Sequence, residues 1–213
     1  MLVSLSTMPA GENYMEYVKQ IQASADFLHL DVCDGEYNST KCFSHEYAKQ
    51  INQNTTLPMD CHLMTKNAID FAKKYIQAGA NIVTAQIESF ENQIQIVEFI
   101  DFVKSHNTLC GLSLEITTDI DMILSYLEKL DIVLLMSVKT GQSGQQFNEN
   151  VIPKIKKLAE IRKNKNLNFK IQVDGGINDI IAQQLKQNNV DIIVSGSYVY
   201  NSQNKQYAIN SLK

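Results

Sequence analysis

The sequence predicts an α/β chain folded as a closed (β/α)8 TIM barrel, a single domain over residues 1–213. Three observations lead there. Short Val-, Ile- and Leu-rich runs alternate with longer amphipathic segments along the whole length, the pattern of parallel strands buried on both faces. The runs number eight, the count of a closed barrel. The residues able to carry chemistry stand at the C-terminal ends of these runs, where such barrels keep their sites. An open doubly wound sheet shares the alternation, and periodicity alone does not separate the two.

The first strand is Leu2–Ser6, followed by Glu12–Ala23, which carries Tyr14, Val18 and Ile21 at helical spacing. Phe27–Val32 and Met59–Met64 are the second and third strands, and the polar run Asn52–Thr56 before the latter reads as a loop. Asn67–Ala78 is helical through Phe71, Tyr75 and Ile76, with Gly79 placed to cap it. Ile82–Ala85, Leu109–Leu114, Ile132–Val138, Lys170–Asp174 and Ile192–Ser195 complete the strands. Helical patterns fall at Asn92–Ser105, Asp119–Leu127, Asn150–Lys163 and Asp179–Gln187, with a weaker one near Asn204–Leu212. Lys163–Asn168 reads as a loop, and no linker, repeat or low-complexity tract divides the chain.

At 213 residues the chain can bury a substantial core, but it is too short for a barrel with large insertions. Hydrophobic residues make up 44% and charged residues 20%, which excludes a disordered chain. A net charge of −4 argues against nucleic acid as a partner, although backbone N–H groups can still hold an anion. No apolar run approaches the roughly 18 residues of a membrane span. Cys33, Cys42, Cys61 and Cys110 form no C-x-x-C pair, and no basic stretch leads into an apolar run at the N-terminus. Free thiols in a reducing cytoplasm are therefore expected.

At the strand ends, His29 and Asp31 are two apart and share a face. His62 lies at the end of the third strand and Asp174 at the end of the seventh. Each alone is as well explained by a structural hydrogen bond or a turn. Together, two imidazoles and two carboxylates converging on one end suit a divalent metal ion such as Zn, Mn, Fe or Co. Glycine loops supply a second signal: Gly141-Gln142-Ser143-Gly144 after the sixth strand, Gly175-Gly176 after the seventh and Gly196-Ser197 after the eighth. Such loops admit close backbone approach and commonly cradle a phosphate, to which Ser197 adds a hydroxyl.

In their order along the chain, five segments resemble the ribulose-phosphate 3-epimerase family: His29–Gly35, Asp60–Met64, Met136–Gln145, Val173–Asn178 and Ser195–Ser197. The resemblance implies that His29, Asp31, His62 and Asp174 bind the metal and that Asp31 and Asp174 are the acid/base pair. It also implies that Ser4 contacts substrate, that the glycine loops hold the phosphate, and that Cys33, Met64 and Met136 form an apolar cap. The implied reaction is 3-epimerisation of a ketose phosphate, D-ribulose 5-phosphate to D-xylulose 5-phosphate, by two-base proton transfer through a cis-enediolate. A homo-oligomer is the expected assembly. Departures lie at Glu36–Thr40, at Thr140–Gln142 and at Gln86, where the family commonly has histidine. They leave open a hexulose phosphate such as D-allulose 6-phosphate as substrate. A catalytically silent sugar-phosphate-binding paralogue is the other alternative, and the intact His29, Asp31, His62 and Asp174 argue against it.

Overall fold

In the computed structural model, which describes residues 1–213, the eight predicted strands are all present and all parallel. They are β1 (Leu2–Ser6), β2 (Phe27–Asp34), β4 (Met59–Met64), β5 (Ile82–Gln86), β6 (Leu109–Leu114), β7 (Ile132–Met136), β8 (Lys170–Asp174) and β9 (Ile192–Ser195). An additional two-residue strand, β3 (Lys41–Cys42), pairs antiparallel with the end of β2. The first strand pairs with both β9 and β2, so the sheet closes and the open-sheet alternative is excluded.

The helices are α1 (Tyr14–Ile21), α2 (His45–Asn54), α3 (Ala68–Gln77), α4 (Gln93–Ser105), α5 (Ile152–Asn164), α6 (Asp179–Gln187), α7 (Ser197–Tyr200) and α8 (Lys205–Ser211). No helix is long and apolar enough to cross a membrane. Side chains from the outer faces of the strands and the inner faces of the helices merge into one main core.

Three expectations are corrected. Helix α2 was not anticipated, and it takes in Asn52–Asn54 of the run read as a loop; it buries only Ala48 and Ile51, too few to show a period. The helix expected at Asp119–Leu127 is a short 3₁₀ turn, Ile120–Ile123, followed by further turns. Its buried Ile120, Ile123 and Tyr126 are spaced by three, the period of the 3₁₀ geometry. Ser137 and Val138 lie beyond the end of β7.

The barrel interior is layered, because alternate residues of each strand point inward. Phe27, Ile82, Ile132 and Ile192, from every second barrel strand, close the bottom. Above this apolar plug the alternation places Ser4, Asp60, Gly111 and Gln172, then His29, Thr84, Leu134 and Val194. His62, Ser113 and Asp174 follow at the mouth. Gly111 allows the close fit: a Cβ there would lie 2.3 Å from Thr84 Oγ1. Polarity thus rises toward the C-terminal ends of the strands.

Candidate active site

Strand β2 presents His29 and Asp31 on one face, β4 presents His62, and β8 presents Asp174. One donor atom from each of the four lies within 4.8 Å of all the others. His29 Nε2 stands 3.4 Å from Asp31 Oδ1 and 3.8 Å from Asp174 Oδ2, and His62 Nδ1 stands 3.7 Å from Asp31 Oδ1.

The far sides of both rings are fixed by the protein. His29 Nδ1 lies 2.9 Å from Asp60 Oδ2, an oxygen that also accepts from Ser4 Oγ (2.8 Å) and Gln172 Nε2 (2.6 Å). Gln86 turns its amide oxygen to accept from His62 Nε2 (3.1 Å), while its nitrogen donates to the Ser113 carbonyl (3.2 Å) and to Glu88 (3.0 Å). Gln86 therefore orients His62 in place of the histidine common in the resembled family. With these outer nitrogens engaged, His29 Nε2 and His62 Nδ1 are buried, face the cluster and make no hydrogen bond. Two unpartnered imidazole nitrogens beside two carboxylates are donors able to hold a divalent metal ion, with a second row of oriented groups behind them. The residues fit the predicted ion.

The proton affinities of these groups agree. Burial alone would lower His29, but the carboxylates of Asp60 and Asp31 outweigh it and hold the imidazole well above its usual range. Burial would raise Asp31, and His29 with His62 pull it below the ordinary carboxylate range instead. Asp174 moves the other way: burial, then the charge of Asp31, push it up to about 6. A cation must therefore displace protons from His29 and, in acid, from Asp174. Metal affinity is expected to fall steeply as pH drops through about 6. Titration against a competing chelator from pH 5 to 8 checks this, and a pH-independent affinity would contradict it.

Above the cluster lies a small cavity of about 60 Å³, walled by Ser6, Met8, Asp31, Met64, Met136 and Asp174 and by the predicted loops at 139–145, Gly175–Ile177 and Gly196–Ser197. Gly176, at φ 64°, runs against the 145–147 segment; a Cβ there would sit 2.2 Å from Phe147 N. Gln142, Ser143 and Gly144 are exposed at the tip of their loop but still line the cavity. A larger open groove, about 830 Å³ around Arg162 and Asp191, lies at the opposite end of the strands, away from any of these groups.

Not every expected contact is placed at the cavity. Ser4 is fully buried beneath it and donates to Asp60; the serine on the cavity wall is Ser6, whose hydroxyl donates to Asp31 Oδ2 at 2.9 Å. Met64 and Met136 line the cavity, whereas Cys33 faces a separate surface pocket with Cys42. Asp60, Gln172 and Ser6 were missed. The first two are legible by strand parity, each two residues before a ligand.

The two atypical loops meet over the mouth. Thr40 Oγ1 donates to the Gly141 carbonyl (2.9 Å), and a Cβ on Gly141 would strike Asn38 Nδ2 at 2.6 Å. Glu115 binds both loops, accepting from Tyr37 Oη (3.2 Å) and from Thr140 Oγ1. Its own segment is anchored by Glu88, which accepts from the Glu115 N–H (2.9 Å), and by Lys154, which donates to the carbonyls of Glu115, Ile116 and Thr118. The departures from the family pattern are thus coupled.

Comparison with known proteins agrees with this geometry. Residues 3–200 match the model of the ribulose-phosphate 3 epimerase family. The chain is 34% identical over 203 residues to ribulose-phosphate 3-epimerase of Helicobacter pylori, covering 94% of this chain and 92% of that protein. It is 32% identical over 199 residues to the enzyme of the same name from Aquifex aeolicus, covering 92% and 88%. Among solved structures, 3-hexulose-6-phosphate synthase from Salmonella typhimurium superposes with a TM-score of 0.72 at 15% identity, over 100% of this chain and 96% of that one. KGPDC from Streptococcus mutans gives 0.72 at 13% identity, over 99% and 94%. At those identities the structural matches speak to the fold alone.

Proposed function

The chain belongs to the ribulose-phosphate 3-epimerase family and is an isomerase acting on a carbohydrate, and from that premise we propose that it interconverts D-ribulose 5-phosphate and D-xylulose 5-phosphate. The observation that carries the reading is the placement of Asp31 and Asp174. The two carboxylates come from different strands to one donor cluster, with opposite shifts in proton affinity. Groups pushed apart in this way are suited to serve as base and acid in the same step.

In this mechanism one aspartate removes the proton from the carbon beside the ketone, and the other returns it from the opposite face of the planar enediolate, inverting the centre. A divalent Zn, Mn, Fe or Co held by His29, Asp31, His62 and Asp174 would supply Lewis-acid stabilisation of the enediolate oxygens. Ser6 donates to Oδ2 of Asp31 and keeps that oxygen oriented, while Oδ1 faces His29 and His62. Met8, Met64 and Met136 exclude water from the reacting carbons.

The phosphate is assigned to the backbone of the loops at 141–144, 175–176 and 196–197, whose glycines leave room for it. A Cβ on Gly196 would already lie 3.2 Å from Pro9 Cγ and 3.4 Å from Ser6 Cβ. Gly196→Val should therefore raise KM about 10- to 100-fold, the cost of one lost hydrogen bond to a charged group, with a smaller change in kcat. Steady-state kinetics with the ketose phosphate checks this, and an unchanged KM would move the phosphate elsewhere.

A second reading, a hexulose phosphate such as D-allulose 6-phosphate, is favoured by one observation: the two loops over the mouth are atypical and braced together through Glu115. A panel of pentulose and hexulose phosphates, assayed with metal-analysed protein, separates the two. A silent paralogue would turn over neither and would have no use for the oriented ligand set.

A further inference from the structure

Two cysteines beside the site take no part in the chemistry above. Cys33 and Cys42 are direct partners in the antiparallel β2–β3 ladder, and both thiols are free. Residues directly opposite in such a ladder have Cα atoms about 4.5–5.5 Å apart, within the roughly 4.4–6.8 Å that a disulfide spans. Their side chains also leave the same face. Cys42 points back toward β2, since its Sγ donates to the Asp31 carbonyl at 2.9 Å. Both cysteines line a surface pocket of about 480 Å³ whose walls also carry Lys41, Lys74 and His45. The backbone just after Cys42 is strained: Phe43 has φ 49°, which bulky side chains rarely adopt, and the Tyr75 hydroxyl donates to its carbonyl.

We propose that Cys33 and Cys42 form a reversible dithiol–disulfide site, oxidised by a small anionic disulfide of the glutathione type that enters through this pocket. One cysteine sulfur attacks the reagent's S–S bond, expelling one thiol and leaving a mixed disulfide. The second cysteine sulfur then displaces the other thiol. Two protein S–H bonds and the reagent's S–S bond break, while one protein S–S bond and two reagent S–H bonds form. Two electrons pass from protein to reagent. Lys41 and Lys74 outnumber Asp34, the one acid of the lining, and suit the carboxylates of such a reagent.

Geometry also sets the character of the bond. Cys42 is half-buried at a surface pocket, and disulfides within reach of solvent are the easily reduced, labile ones. Closure removes the S–H···O bond to Asp31 and ties down the base of the Glu36–Thr40 loop, so it reaches both the metal cluster and the mouth. Uncatalysed thiol–disulfide exchange takes minutes to hours, and closure runs on that timescale.

The test uses metal-loaded, full-length protein incubated with oxidised glutathione, alkylated under denaturing conditions and mapped by peptide mass. The expected product links Cys33 to Cys42 and leaves Cys61 and Cys110 alkylated. Turnover should fall about tenfold or more, as for other disturbances of the groups supporting a metal ligand, and dithiothreitol should restore it. Cys42→Ser keeps a hydroxyl donor for Asp31, so it should retain basal turnover and resist the oxidant. The proposal is overturned if both cysteines remain alkylatable, if they are trapped only as separate glutathione adducts, if the linked protein turns over normally, or if Cys42→Ser is inactivated as fast as wild type. Peptide mapping reads the sulfur chemistry alone, so it is independent of which ketose phosphate is the substrate.

Discussion

Asp174→Asn, loaded with metal, is expected to lose epimerisation by about 10²- to 10⁴-fold, the usual contribution of a positioned acid or base. Proton chemistry should survive on one face. The epimer whose proton faces Asp31 should still exchange it with solvent deuterium, because Asp31 and its partner Ser6 are untouched. It should not invert, since nothing on the other face returns a proton. Asp31→Asn should show the mirror-image preference. Both residues belong to the metal cluster, so occupancy has to be measured in each variant. Deuterium incorporation followed by NMR decides the matter. Exchange of the same epimer by both loaded variants, or wild-type epimerisation by either, would contradict the two-base assignment.

His62→Ala is expected to lower metal affinity by more than the roughly 10- to 100-fold that changes to supporting groups cost, because it removes a ligand itself. Purified under conditions that leave the wild type near one equivalent, the variant should be largely metal-free. The structure makes this a sharp test. His62 Nδ1 is buried and unpartnered while Nε2 is committed to Gln86, so the ring has no structural hydrogen bond on the cluster side to explain its orientation. Elemental analysis alongside circular dichroism separates metal loss from misfolding. A folded variant with wild-type metal content would remove His62 from the site.

Much of this site could be read from the amino-acid order because strand parity carries it. Residues two apart on a strand share a face, so His29 with Asp31 and Asp60 with His62 are placed by spacing alone once the strand is recognised. The same parity would have identified Asp60 and Gln172 as the layer beneath the ligands and set Ser4 in that layer rather than on the cavity wall. Helix α2 left little trace because only Ala48 and Ile51 face inward. The brace formed by Tyr37, Glu115 and Thr140 was out of reach for a different reason: its members are far apart in the chain, and Glu115, which joins the other two, belongs to no strand-end motif. The pairing of Cys33 with Cys42 rests on a two-residue strand, too short for any periodic signal.

Metal-dependent epimerisation of a pentulose phosphate is decided most simply by the kcat/KM of metal-analysed protein for D-ribulose 5-phosphate and for D-allulose 6-phosphate, with and without chelator. D-Ribulose 5-phosphate should be converted to D-xylulose 5-phosphate with the higher kcat/KM. Chelation should abolish that activity, and a divalent transition metal should restore it. Preferred turnover of the hexulose phosphate would refute the pentulose assignment, and full activity in metal-stripped protein would refute the role of the metal.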